Sequence, residues 1–201
     1  GVPVVSAAHL VEATQDAGAF VQVSGVLKRV ACKLSKTCHD LRLLSSGPQA
    51  GFGDILLPPR QAGSSLMPGK VNPVIPEVMN QVTFEVSGND VTITMAAESG
   101  QLQLNAFEPI MAWSLHKSVR HLRQACLTLR VNGVDGSLAN RELLARRVAE
   151  SVTLVTALNP LIGYENTTAV AKEAYATGKG VAEIVLERGL MTKEQLDEVL
   201  R

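Results

Sequence analysis

The sequence predicts an all-α protein, a long-helix bundle followed by a small helical C-terminal domain, and three observations carry that expectation. Aromatic residues are scarce, with 4 Phe, 1 Trp and 2 Tyr. The core must therefore be built from Leu, Val, Ile and Ala, which suits packed helices better than an aromatic-rich β-sandwich. Three long segments repeat their apolar residues at steps of three and four, the period of a helix with one buried face. Hydrophobic residues reach 46% and charged residues only 19%, a balance too apolar for a disordered chain.

Residues 6–16 read as a short helix with Ser6 placed as its N-cap. Over 20–44, Phe20, Val23, Leu27, Val30, Leu34, Leu41 and Leu44 form a seam of coiled-coil type broken only by Thr37, with Lys28, Arg29, Lys33, Lys36 and Asp40 between them. Periodicity then vanishes over 45–73, where Gly and Pro follow one another in quick succession, and a functional loop is expected there. Ile75, Val78, Val82 and Val86 predict a helix over 74–98, against the pull of Gly88 and the β-branched run Val91-Thr92-Ile93-Thr94. Pro109 suits the first residue of a third long helix, whose stripe runs through Leu115, Val119, Leu122, Cys126 and Leu129. The turn chemistry of Asn132-Gly133-Val134-Asp135-Gly136 places a domain boundary near Gly133, giving domains over 1–132 and 133–201. Short helices are expected over 141–156, 167–177, 181–188 and 193–201, the last opened by a capping box of Thr192 and Gln195.

Nineteen basic residues balance nineteen acidic ones, so the chain lacks the field that would draw nucleic acid or an anionic membrane surface. No apolar run approaches the roughly 20 residues of a membrane span. Cys32, Cys38 and Cys126 are odd in number and lack C-x-x-C spacing, which suits a reducing cytoplasm. The chain opens on Gly1-Val2-Pro3 without Met and enters helical pattern almost at once, so it is expected to be the later part of a longer polypeptide.

Chemistry concentrates in Gly63-Ser64-Ser65-Leu66-Met67-Pro68-Gly69-Lys70-Val71-Asn72-Pro73. Two adjacent hydroxyls, flanking glycines, a lone Lys, an Asn and a helix start just downstream are the parts of an anion site. Leu66 and Met67 are out of place in a solvated turn, and a Lys and an Asn at the mouth of an apolar helix would help to hold a carboxylate. His9, His39, His116 and His121 make no convincing ligand set, and each reads as a surface or packing residue. Glu77 reads first as an acidic residue complementing a helix N-terminus.

The stretch from Gly63 to Pro73 resembles the signature of the aspartase/fumarase superfamily, whose members eliminate a group from C2–C3 of a succinyl unit and release fumarate. Val74-Ile75-Pro76-Glu77-Val78, Gly100-Gln101-Leu102-Gln103-Leu104-Asn105, Leu158-Asn159-Pro160 with Ile162-Gly163-Tyr164, and Val185-Leu186-Glu187-Arg188-Gly189-Leu190 are similar to its ammonia-eliminating branch. The hydratase branch, class II fumarase, is the alternative; it usually carries an aromatic–acidic pair in place of Leu102-Gln103. The resemblance implies that this chain is part of a central helical-bundle domain plus the small C-terminal domain of an enzyme more than twice as long. Such a fragment would be inactive alone and could amount to a non-catalytic assembly module.

The resemblance also implies roles. Ser64 would remove the C3 proton of L-aspartate, and Glu77 would match a glutamate that pairs with a histidine. Ser65, Leu66, Met67, Lys70, Val71 and Asn72 would bind the dicarboxylate. A serine hydroxyl ionises at neutral pH only with help, from backbone N–H groups around Ser65 to Met67 or from a neighbouring base. Flanking glycines suggest a loop that closes over substrate. No metal or organic cofactor is implied, and the implied assembly is a homotetramer whose active sites are shared between subunits.

Overall fold

The computed structural model describes residues 1–61, 63, 67 and 71–199, with the backbone alone at 149 and 150. The chain divides into two compact units, Gly1–Leu138 and Ala139–Arg201. In the first, a short helix α1 (Leu10–Gln15) leads into three long ones, α2 (Gly18–Leu44), α3 (Val74–Glu98) and α4 (Glu108–Leu129). A π-helical turn, Arg130–Val134, extends α4. Two strands of two residues each, β1 (Ile55–Leu56) and β2 (Leu138–Ala139), form a small sheet. The all-α expectation holds.

α3 packs between α2 and α4, and the core is stacked along the bundle in three layers. Ala17, Ile93, Ala96 and Met111 fill the first; Ala31, Val86 and Leu122 the second; Cys38, Met79, Ala125 and Leu129 the third. The first layer takes the start of α2 and of α4 with the end of α3, the third takes the reverse, and the second takes the middle of α2 and α3, so α3 runs antiparallel to both neighbours. The head of α3 therefore lies at the same end of the bundle as the tails of α2 and α4.

The central line of the seam differs from the one the apolar period suggests. On α2 the buried positions are Ser24, Ala31 and Cys38, and on α4 they include Ser114, Ser118 and Ala125. Val23, Val30, Val78 and Val119, all placed on the seam by sequence, are 43–47% exposed. Small residues occupy the contact line because they let the helix backbones approach closely, and the larger apolar side chains are displaced to its flanks.

Buried hydroxyls and amides on that line require partners. Asp90, 6% exposed, accepts from Ser24 Oγ and Lys28 Nζ, each at 2.7 Å. Asn89 Nδ2 donates to Ser118 Oγ at 3.0 Å, and that hydroxyl donates to Ser114 O at 2.8 Å. Burial alone would raise the Asp90 pKa, but the hydrogen bonds from Lys28 and Ser24 outweigh it and hold the carboxyl below its ordinary value. α3 is helical throughout despite Gly88 and its β-branched run, because tertiary burial of Val86, Asp90, Ile93 and Ala96 overrides weak local propensity.

Local boundaries differ where a side chain competes with the expected signal. The cap of α1 is His9, whose Nδ1 accepts from Glu12 N at 3.2 Å, and residues 1–7 precede any helix, Ser6 included. In the second unit the helix expected over 141–156 is two helices, α5 (Arg141–Glu150) and α6 (Leu154–Ile162). Ser151 breaks it by accepting from Thr153 N at 3.2 Å, a local hydroxyl turn that competes with the helical ladder. α7 (Tyr164–Thr177), α8 (Val181–Glu187) and α9 (Lys193–Val199) complete the unit around Leu158, Val170, Val181, Ile184, Val185 and Leu196. Thr192 N donates to Gln195 Oε1 at 2.9 Å and Gln195 N to Thr192 Oγ1 at 3.3 Å, the reciprocal box that the sequence predicts.

Asp90 sets an acid limit on the bundle. Its folded pKa is depressed, so its stabilisation is present above the unfolded value of about 3.9 and is lost as pH falls through the folded value. Urea unfolding at pH 7 and at about pH 3 should show a loss of stability on acidification that is smaller in Asp90→Asn. Equal losses in the two proteins would assign the acid limit to other groups.

Candidate active site

The segment implicated by sequence enters α3 at the end of the bundle shared with the tails of α2 and α4. Val74 N donates to Asn72 O at 2.9 Å and Glu77 N to Pro73 O at 3.2 Å, so the first turn of α3 grows directly out of the segment. Asn72 is half-buried, whereas Met67 and Val71 are 51% and 52% exposed. Ser64, Ser65, Leu66 and Lys70 lie outside the described residues.

Glu77 projects from the first turn of α3, where its charge complements the helix N-terminus. It also faces a cation from another helix. Arg42, in the last turn of α2, places Nη2 3.6 Å from Glu77 Oε1, and its Nη1 donates to Asn80 Oδ1 at 3.5 Å. Among the described residues, Arg42 Nε is buried without a hydrogen-bond partner. Asn80, one turn beyond Glu77 and 2% exposed, donates through Nδ2 to Ser35 O and Ser35 Oγ at 3.0 Å. His39 Nδ1 stands 2.8 Å from Ser35 O and 3.2 Å from Asn80 Nδ2. Arg42 and Asn80 thus tie the head of α3 to the tail of α2 through polar contacts.

Neither Arg42 nor Asn80 is singled out by the sequence. A signal was present: Arg42 interrupts the apolar run Leu41-Arg42-Leu43-Leu44, and Asn80 stands in an otherwise apolar stretch of α3. The histidines take the packing and surface roles expected of them. His121 Nδ1 contacts Glu85 Oε2 at 2.6 Å. Lys117 and then His121 hold the Glu85 carboxyl below its ordinary range.

The 100–105 stretch is the turn joining α3 to α4. Gln101 and Leu104 exchange backbone hydrogen bonds at 2.9 and 3.2 Å. Buried Asn105 donates to Ala96 O and Ala97 O at 3.0 and 3.1 Å and accepts from Phe107 N at 2.8 Å. One side chain thereby caps the tail of α3 and the head of α4.

Comparison with known proteins points to the family. Residues 1–88 match a family described as lyase, and residues 154–201 match one described as fumarase C C-terminus. Aspartate ammonia-lyases of Pseudomonas canavaninivorans and Helicobacter pylori are 56% identical over all 201 residues, and that of Escherichia coli K12 is 55% identical over 199. Along its whole length the chain is similar to members of the aspartase/fumarase superfamily. The resemblance drawn from the signature is borne out, and among solved structures of the superfamily the likeness extends to the fold. A fumarate lyase:delta crystallin from Brucella melitensis superposes with a TM-score of 0.93 at 51% identity, over 98% of this chain and 43% of that one. A class II fumarase from Schistosoma mansoni gives 0.85 at 34% identity, over 100% and 43%. The chain spans about 42% of the length of the Pseudomonas and Escherichia relatives and 43% of the Helicobacter one.

Proposed function

We propose that the native protein is a carbon–nitrogen lyase that reversibly eliminates ammonia from L-aspartate to give fumarate. The observation that carries this reading is the 55–57% identity to several aspartate ammonia-lyases across at least 99% of the chain, the signature segment included. Ser64, as its alkoxide, takes the C3 proton. The electron pair left on C3 is held as an enediolate on the adjacent carboxylate, then closes the C2–C3 double bond as the C2–N bond breaks and the protonated amine leaves as ammonia. Negative charge grows on the carboxylate oxygens in the transition state, so Lys70 and Asn72, with the Ser65 hydroxyl, act as donors that bind the transition state more tightly than the substrate. Leu66, Met67 and Val71 line the carboxylate. Glu77, faced by Arg42, is the glutamate that pairs with a histidine of the catalytic machinery.

The working form is a homo-oligomer, a tetramer with shared active sites, in the reducing cytoplasm. The apolar side chains displaced outward on all three long helices support the oligomer. Elimination of water from L-malate on the same scaffold is the second reading, favoured by the 34%-identical fumarase fold. Measuring ammonia release from L-aspartate beside hydration of fumarate, in the native full-length protein, separates the two. Absence of both activities would leave an assembly module.

Ser64→Ala should lower kcat at least about a thousandfold while leaving the fold intact, because it deletes the base without touching the bundle core. A variant that keeps more than about a tenth of the wild-type kcat removes Ser64 from this role.

Lys70→Met should both weaken dicarboxylate binding and slow the chemical step, since the charge it removes faces oxygens that become more negative during reaction. Steady-state kinetics separate the two effects. A change confined to melting temperature, with kcat/KM untouched, would make Lys70 an ordinary solvated residue.

A further inference from the structure

The π-helical turn that ends α4 bonds to one end of the signature segment and packs against the other. A helix leaves its last carbonyls without intrahelical partners, and each must find a donor elsewhere. Here Asp135 N donates to Arg130 O at 2.8 Å, the wide closure that defines the π turn. The next two carbonyls are taken by one side chain from far upstream: Arg60 Nη2 donates to Val131 O at 3.2 Å and Arg60 Nε to Asn132 O at 3.1 Å. Ser137 Oγ accounts for Gly133 O at 2.6 Å. A guanidinium is well matched to this position, since its fork spans two adjacent carbonyls and its charge faces the negative end of the helix dipole.

Arg60 stands just before the signature segment, and Ile75 just after it. Ile75 packs on the same turn. A Cβ added to Gly133 would lie 3.1 Å from Ile75 Cγ2 and 3.2 Å from Leu129 Cδ1, tighter than side chains tolerate without moving. The crevice where Pro58, Arg60, Pro73 and Ile75 meet Asn132 and Gly133 holds only about 10 Å³, at the lower limit for a single water molecule. Contact there is direct, with no solvent layer to absorb a displacement.

We infer that the π turn is a clamp fixing the two ends of the signature segment relative to one another, with Arg60 and Gly133 as positioning residues for the reaction proposed above. The inference rests on that reading for its catalytic consequence and on the geometry alone for its structural one. Holding Arg60 and Ile75 fixes the span that the intervening residues must cross, which lowers the entropy lost when the Ser64 hydroxyl and the Lys70 charge are brought to substrate.

The test uses Arg60→Met, Arg60→Lys and Gly133→Ala in the native full-length protein, read by steady-state kinetics and by amide hydrogen exchange. Arg60→Met should lower kcat about 10- to 100-fold while KM changes less than about threefold, the signature of a misplaced reacting group. Arg60→Lys should recover part of the loss, because an ammonium can serve one carbonyl but cannot span two. In Arg60→Met and Gly133→Ala, exchange should rise at least about tenfold over residues 61–75 and stay within about twofold over 79–93. Equal acceleration in both regions would show a merely structural effect and overturn the clamp, as would wild-type exchange over 61–75 in both variants. A wild-type protein that releases no ammonia from L-aspartate would refute the proposed reaction, and the exchange pattern would then decide the clamp by itself.

Discussion

Two long helices, α2 and α4, can pack on α3 as closely as they do only because small residues alternate with the larger ones on the contact line. Ser24, Ala31 and Cys38 on α2 and Ser114, Ser118 and Ala125 on α4 are buried. A Val or Leu at any of them would force the backbones apart. Close approach has an electrostatic consequence. Serines and an aspartate brought into a dry interface must satisfy one another, and the pairs Ser24–Asp90–Lys28 and Asn89–Ser118 do so across helices rather than within them. Cross-helix polar contacts of this kind fix register, since sliding one helix by a single turn would leave a buried carboxylate unpaired. Cys38 reports the same dry environment, its thiol pushed up to about 11 mainly by burial.

Fixed register is what places the chemistry. Because α3 is antiparallel to both neighbours, its first turn meets the tails of α2 and α4 together. Arg42 reaches Glu77 from one side, and the π turn reaches Ile75 from the other. The residues on either side of the signature segment, Arg60 and Ile75, are thus held by rigid elements. Asn105 performs a related service at the opposite end of the bundle, where a single amide ties the tail of α3 to the head of α4.

How much of this was legible in the sequence follows from which interactions are local. Helix period, the Thr192–Gln195 capping box and the Pro109 start depend on residues a few positions apart, and all three are found as expected. The seam was only half legible. Val86, Leu122 and Leu129 were legible and are buried, but the α2 side of the contact is lined by Ser24, Ala31 and Cys38, and Ser and Ala carry little hydrophobic signal until a second helix lies against them. The segment from Gly63 to Pro73 stood out because glycines, hydroxyls and a lone Lys interrupt a strongly periodic chain. Its supports did not, since Arg42 meets Asn80 across 38 residues and Arg60 meets Asn132 across 72. Local exceptions arose where a side chain competed with the backbone, as His9 did for the cap of α1 and Ser151 for the ladder after α5.

The rule that admits small residues to the contact line also decides what the outer surface is made of. On α2 the space near the axis goes to Ser24, Ala31 and Cys38, and further apolar side chains project outward: Val23, Val26 and Val30 on α2, Phe84, Val91 and Met95 on α3, Trp113 and Val119 on α4, each between 43% and 63% exposed. Scattered apolar residues are normal on any surface, but on α2 and α3 they recur at the helical period, which makes stripes rather than scatter. A stripe of that kind is stable in water only when another helix covers it. Such stripes are what one slab of a thicker bundle would carry, as the proposed oligomer requires. This arrangement supports the homo-oligomeric form proposed for the protein. It also explains why the polar clusters that hold the site together, Arg42–Glu77–Asn80 and Arg60 on the π turn, lie at the end of the bundle and leave the apolar stripes along its length free for assembly.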